Sequence, residues 1–175
     1  MAGSLILLDE ETVSSGVSSV TLGASDWDSS YDVYMVTVSN MQIQTNNTQI
    51  RMRFLAGGTP QSTTNYDYAY KVLKTGGSYA DDSSTQPAFI LTYNGGSNLT
   101  DARFNMNAYL FNMNTAADYS YATHEVSAVK NGGTDLESKQ GGGVYLVTEA
   151  HNGVEMLCYS GNIEGGEFKL YGIKK

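Results

Sequence analysis

The sequence has one cysteine, two prolines and one tryptophan among 175 residues. A single cysteine cannot close an internal disulfide, so stability must come from a packed core and not from cross-links. Cys158 lies at an alternating position of a predicted strand, which indicates a buried and inert thiol. The length suits one such core, and we predict a single domain over residues 1–175.

Basic residues are also few. Ten Lys and Arg stand against 18 Asp and Glu, for a formal net charge of −8. Phosphate-backbone binding requires clustered cations, whereas here only Lys174 and Lys175 are adjacent. The sequence therefore argues against a nucleic-acid partner.

Long apolar runs are missing as well. The longest, Leu5 to Leu8, is too short for the apolar core of a signal peptide or for a membrane span. We expect a soluble chain without membrane insertion.

What the sequence does contain is alternation of apolar and polar residues. In 49–55, Ile50, Met52 and Phe54 share one face, which is typical of a half-buried antiparallel strand, and 103–110 alternates in the same way. Only 16% of residues are charged, and the polar positions are filled by strand- and turn-favouring Ser, Thr, Asn and Gly. Further predicted strands are 5–12, 17–22, 31–39, 66–73, 88–93, 121–129, 144–148, 154–159 and 167–173.

Glycine-rich turns separate these strands. They are Gly57-Gly58, Gly76-Gly77, Asn94-Gly95-Gly96, Asn131-Gly132-Gly133, Asn152-Gly153 and Glu164-Gly165-Gly166. We predict a hairpin at 151–153, longer loops at 78–87 and 133–143, and a flexible loop end at Gly141-Gly142-Gly143. The pattern as a whole predicts an all-β fold, an antiparallel two-sheet β-sandwich that is jelly-roll-like.

Catalytic and metal-binding patterns are weak. His124 and His151 lack a nucleophile elbow, and with Cys158 they show no zinc spacing. Glu149 and Glu155, on neighbouring predicted hairpin strands, are one example of a carboxylate pair for glycan hydrolysis, but chance pairs are expected among 18 acids. We expect no catalytic residues, no metal and no cofactor.

An acidic segment offers one alternative to that expectation. Asp26, Asp28 and Asp32 place oxygen atoms where they could hold Ca²⁺, or else form a turn that caps the strand beginning at Tyr31. The segment lacks the central Gly and the distant Glu of an EF-hand loop.

Aromatic residues are the most suggestive binding candidates. Tyr66, Tyr68 and Tyr70 fall on one face of a predicted strand. Such rings suit core packing, a subunit interface or a glycan platform alike, and these alternatives stay open. Trp27 and Tyr79, with Tyr119 and Tyr121, are further candidates on the same reasoning.

The two ends of the chain carry a resemblance. The N-terminal part contains LILLD (5–9), SYDVY (30–34), VTVSN (36–40) and IRMRF (50–54), and the C-terminal part contains SGNI (160–163) and FKLYGIK (168–174). This series resembles structural proteins of tailed phages of aquatic and cyanobacterial hosts. The resemblance implies a jelly-roll-like virion protein, made in the host cytoplasm, that serves as capsid decoration (cement) or as a tail-associated fibre or adaptor domain. It also implies a homo-oligomer, usually a trimer, in contact with other virion proteins.

Three functions are therefore compared. The first is a non-enzymatic virion component that stabilises the particle through subunit contacts. The second is a carbohydrate-binding module for host-surface glycans, and the third is a small glycan hydrolase with a deep cleft holding two close carboxylates.

Overall fold

The computed structural model describes residues 4–75, 79–92, 95–130, 133 and 135–174. Within these ranges the regular secondary structure is strand except for a single 3-10 turn at Ala24–Asp26. The strands are β1 (Ser4–Val13), β2 (Ser19–Gly23), β3 (Val33–Ile43), β4 (Ile50–Ala56), β5 (Thr59–Pro60), β6 (Tyr66–Lys74), β7 (Tyr79–Gln86), β8 (Phe89–Ile90), β9 (Phe104–Phe111), β10 (Ser120–Val129), β11 (Leu136–Tyr145), β12 (Gly153–Cys158) and β13 (Ile163–Lys174).

The strands form two antiparallel sheets. The large sheet has the order β1-β13-β3-β9-β10-β11-β6-β7. The small sheet has the order β2-β12-β4-β5, and β8 also pairs with β4. Buried side chains from both sheets form one apolar core, so the chain is the predicted β-sandwich.

Eight of the strands have jelly-roll connectivity. In chain order, β1, β2, β3, β4, β8, β9, β12 and β13 switch between the sheets at every step except that from β4 to β8. They form two four-stranded halves, β1-β13-β3-β9 and β2-β12-β4-β8. The insertions β6–β7 and β10–β11 extend the large sheet beyond its β9 edge. This confirms the predicted fold class and gives the large sheet a broad outer face.

Aromatic rings fill the core between the extension and the small sheet. The ring of Phe54 lies 5.3 Å from that of Phe89, and the rings of Tyr66 and Tyr145 lie 4.6 Å apart. The Tyr66 hydroxyl accepts a hydrogen bond from the Phe54 amide and donates one to the Gln61 carbonyl. Burial of these large rings contributes much of the hydrophobic stabilisation of this half.

Most predicted strands are confirmed with shifts of a few residues at their ends. Two are not: 144–148 contributes only its first two residues to β11, and within 88–92 only Phe89–Ile90 is strand. The Gly57-Gly58 turn is also confirmed, because both residues have positive φ and they join β4 to β5 as a two-residue hairpin. The predicted turns at Gly76-Gly77, Asn94 and Asn131-Gly132 lie outside the described residues.

Both predicted long loops are wrong. Residues 79–86 of the first form β7, whose polar side chains suit the edge of the large sheet. Most of the second is β11, and Gly141, Gly142 and Gly143 lie inside that strand and not at a flexible loop end. A Cβ at Gly141 or Gly143 would collide with Tyr70 or Tyr68 of β6. A Cβ at Gly142 would lie 2.7 Å from the Ala122 carbonyl oxygen of β10.

The predicted hairpin at 151–153 is also wrong. β11 belongs to the large sheet and β12 to the small sheet, so the intervening segment crosses between the sheets. The amides of His151 and Asn152 donate to the carbonyls of Met113 and Leu55, and the Asn152 side chain contacts Gly58 and Ala24. These tertiary bonds override the local Asn-Gly turn signal.

Candidate interaction surface

The outer face of the large sheet carries two rows of side chains without a charge, the first of which ends on β11 next to the exposed carboxylate of Asp67 on β6. Because residues paired across antiparallel strands share a face, the register places them side by side. We call these rows the uncharged band: Leu5, Ile173, Val33, Phe111, Tyr121 and Val144 in the first row, and Leu7, Tyr171, Met35, Tyr109, Thr123, Gly142 and Ala69 in the second.

The large side chains of the uncharged band are accessible to solvent. Leu5 is 52% exposed, Leu7 46%, Tyr121 43% and Tyr109 40%. Neighbouring strands lie about 4.8 Å apart, so the five spacings from β1 to β11 give the band a length of roughly 24 Å. Isolated apolar residues are common on surfaces, whereas a continuous band of this length is a candidate contact surface.

The other half of the same face is polar and concave. We call it the polar hollow, a depression of about 460 Å³ whose outward side chains are Ser39, Asn105, Asn107, Glu125, Ser127, Ser138, Gln140 and Leu73. A β-bulge in β3, where Asn40 has a φ of 56°, bends the sheet at one side. On β9, Asn107 of the hollow lies two residues before Tyr109 of the uncharged band, so the hollow begins where the band ends.

Three of the predicted site tyrosines lie on the opposite, inner face. Tyr66, Tyr68 and Tyr70 share a face as predicted, but none is more than 5% exposed. The rings of Tyr68 and Tyr70 stack with centroids 5.7 Å apart, and burial raises the pKa of Tyr70 above its usual range. Within this chain they pack in the core, so a sugar or a neighbouring subunit does not reach them. The side chain of Tyr79 lies outside the described part of the structure.

The remaining candidates have separate surroundings. Trp27 is half-buried, stacks on Tyr34 with centroids 3.8 Å apart, and donates from Nε1 to the Asn114 side chain. Tyr119 is 40% exposed, outside the uncharged band. Tyr121 belongs to the band, whereas Tyr109 and Met35 were not predicted, although their alternating positions already assigned them to the face opposite the core residues.

A Ser, a His and a Glu come together beneath β10. The Ser120 hydroxyl lies 2.8 Å from Nδ1 of His151, whose Nε2 is 3.5 Å from Glu149. Ser120 and His151 are at most 1% exposed, and the Ser120 hydroxyl also donates to the Asn112 carbonyl. Burial lowers the pKa of His151 to about 4, so the imidazole is neutral at pH 7. A substrate has no access to this hydroxyl, and the contacts serve packing.

The candidate carboxylates have other partners. Glu155 pairs with Arg53 at 3.3 Å on the outer face of the small sheet, while Glu149 lies beside His151. Asp28 accepts from the Ser30 amide, and this bond, with that of the Ser30 side chain, lowers the pKa of Asp28. Within the described ranges no group of three His, Cys, Asp or Glu is placed to hold a metal ion.

A buried lysine is the least expected feature of the interior. Lys139 of β11 is 1% exposed, and its ammonium donates to the Ile90 carbonyl at 2.9 Å and lies 3.2 Å from the centre of the Tyr70 ring. Desolvation lowers its pKa to about 7, an effect that the carboxylates of Glu137 and Asp82 partly oppose. Next to it, burial and the Lys139 charge lower the pKa of His124 to about 4.

Comparison with protein-family models, with curated proteins and with solved structures finds no match. Among the described residues, no helix has the length and hydrophobicity needed to cross a membrane.

Proposed function

We propose that this chain is a non-enzymatic structural subunit of a tailed-phage particle. It acts as capsid decoration or as a tail-associated fibre or adaptor domain, in contact with copies of itself and with other virion proteins. The observation that carries the proposal is the uncharged band on the outer face of the large sheet. The phage setting comes from the sequence motifs at the two ends of the chain.

A second copy of the chain is the partner that fits the band. Copies with a formal charge of −8 repel each other, so they associate best through a face that brings no further charges together. Burial of Leu, Met, Tyr and Phe side chains supplies the driving force, and tyrosine is enriched in such interfaces.

We propose that the oligomer is a trimer, and the position of the band supports a ring-forming contact. It runs to the edge strand β1, where Leu5 and Leu7 are exposed. An apolar sheet edge that continues into an apolar sheet face suits a head-to-tail contact, in which the edge of one subunit packs on the face of the next. Three copies close such a contact into a ring and leave no edge free to aggregate.

Introducing a charge into the band is expected to dissociate the oligomer. Met35→Asp and Tyr121→Asp each bury a carboxylate in the interface, which costs about 2 kcal/mol or more and weakens association at least about thirtyfold. Light scattering after size-exclusion chromatography should show a trimer for the unmodified protein and a smaller species for both variants at micromolar concentration.

The matched control is Asn105→Asp. It adds the same charge to the same outer face but outside the band, and it keeps an oxygen to accept the hydrogen bond from the Asn40 amide. The control should remain trimeric. A monomeric unmodified protein, or variants that stay assembled, would contradict the proposed contact. On the particle, electron microscopy of phage lacking the chain should show missing density, and unchanged capsid stability and adsorption would refute the virion role.

A further inference from the structure

We propose that the polar hollow binds a neutral saccharide. This goes beyond the subunit contact, because it uses the other half of the sheet face and does not depend on assembly. The residues also differ from Tyr66, Tyr68 and Tyr70, which are buried in the core.

The hollow offers the hydrogen-bonding chemistry that sugar hydroxyls need. Apart from Leu73 of β6, its outward side chains are hydroxyls, amides and one carboxylate, drawn from four adjacent strands, β3, β9, β10 and β11. An amide both donates and accepts, and a carboxylate accepts through either oxygen. The hydroxyl groups around a sugar ring can therefore find hydrogen-bonding partners on each side of the hollow.

Some of these side chains are already held in place. Gln140 donates to Glu125 at 2.9 Å, and the Ser138 hydroxyl donates to the Val126 carbonyl at 2.8 Å. Asn105 accepts from the Asn40 amide across the β3 bulge. A floor fixed by sheet pairing and by these bonds loses little conformational entropy when a ligand binds.

An apolar side chain stands at one side of the hollow. Leu73 of β6 lines the hollow and is 46% exposed. An apolar side chain can cover the apolar face of a sugar ring while the polar side chains bind its hydroxyl groups. The polar side chains and Leu73 together match the two kinds of surface on a pyranose.

The charges around the hollow favour a neutral ligand. Lys71, in the same row as Gln140, pairs with Asp81 at 2.7 Å, and Lys169 lies 3.8 Å from both Glu10 and Glu167. These cations are therefore compensated, while Glu125 adds a negative charge to the floor. A sialylated, sulfated or phosphorylated glycan would meet net repulsion.

The test is a printed glycan array containing neutral oligosaccharides of glucose, galactose, mannose and N-acetylglucosamine, with sialylated and sulfated glycans as the acidic arm. The unmodified protein should bind neutral members, with a dissociation constant on the order of 0.1–1 mM when the best of them is titrated by NMR. Asn107→Ala and Gln140→Ala should each weaken that binding about tenfold, because each removes hydrogen bonds to the sugar.

Two controls separate this proposal from the proposed function. Thr21→Ala changes an exposed strand residue on the outer face of the small sheet and should bind as the unmodified protein does. Met35→Asp, if monomeric, should still bind the sugar, since it leaves the hollow intact. Binding of no neutral glycan, a preference for acidic glycans, or full binding by both hollow variants would overturn the proposal, whatever the oligomeric state.

Discussion

Replacing Lys139 with methionine is expected to raise the free energy of unfolding by about 2–4 kcal/mol at pH 6. The Lys139 amine is buried between β11, β6 and β8, and its pKa falls from 10.5 to about 7. That difference corresponds to a cost of roughly 5 kcal/mol for keeping the buried amine protonated. Methionine has a similar length and an apolar, adaptable side chain, so it fills the same space without the charge.

Part of this gain is offset. The Ile90 carbonyl loses its donor and is left buried, which costs about 1–3 kcal/mol. The contact of the ammonium with the Tyr70 ring is lost as well. Because desolvation is the largest influence on Lys139, the removal of the charge should still dominate.

The pH dependence of the free energy of unfolding provides a second test of whether Lys139→Met stabilises the protein. Between about pH 7 and pH 10.5 the folded protein binds fewer protons at Lys139 than the unfolded chain does, so the contribution of Lys139 to stability rises with pH over this window. The advantage of Lys139→Met should be complete at pH 6 and shrink toward pH 9. Urea unfolding at pH 6, 7.5 and 9 measures it.

Lys71→Met is the control for this experiment. Lys71 is exposed and pairs with Asp81, so its replacement should change stability little and without this pH profile. The pKa of His124, now about 4, should rise in Lys139→Met because a neighbouring cation is gone. A variant less stable than the unmodified protein at every pH would contradict the account of Lys139 as a costly buried charge.

The sequence predicted the strands well because alternation is a local signal. In β6 and β10 every second residue is buried, as the apolar pattern of 66–73 and 121–129 indicates. The same signal fails where an inward position holds a glycine or a polar residue. Glu137, Lys139, Gly141 and Gly143 all point inward from β11, and none of them looks like a core residue in the sequence.

The connections between the two sheets could not be predicted from a local sequence pattern. An Asn-Gly pair between two apolar runs predicts a hairpin, yet 146–152 crosses to the other sheet because contacts with Met113 and Leu55 hold it there. β7 was missed because it has no apolar alternation. It lies at the edge of the large sheet beside β6, and an edge strand can be built from polar residues such as Asp, Ser and Thr.

The candidate surface could be predicted only in part. Alternation alone assigns Met35, Tyr109 and Tyr121 to the outward side of their strands. It does not show that β3, β9 and β10 are neighbours, and this adjacency joins separate exposed side chains into one band. The tyrosines of β6 attracted attention by their number, whereas the face they share turned out to be the inner one.

Replacing Gly143 with alanine is expected to lower the free energy of unfolding by about 3 kcal/mol or more. A Cβ at this position would lie 2.5 Å from the carbonyl oxygen of Asp67 and 2.6 Å from the ring of Phe89. Phe89 belongs to the aromatic cluster of the core, and Asp67 belongs to the strand paired with β11. Neither atom is the end of a flexible side chain, so the strands must separate to make room.

Gly165→Ala provides the comparison for this prediction. It adds the same methyl group to another glycine within a strand, and there the nearest atom to the new Cβ is the Val13 carbonyl oxygen at 3.7 Å, an ordinary contact. Urea unfolding should show a lower midpoint for Gly143→Ala and nearly no change for Gly165→Ala. Equal stability of the two variants would mean that β11 does not pack against β6 and β8 as closely as described. Because β11 also carries Gln140 and Val144, looser packing there would disturb both the polar hollow and the uncharged band.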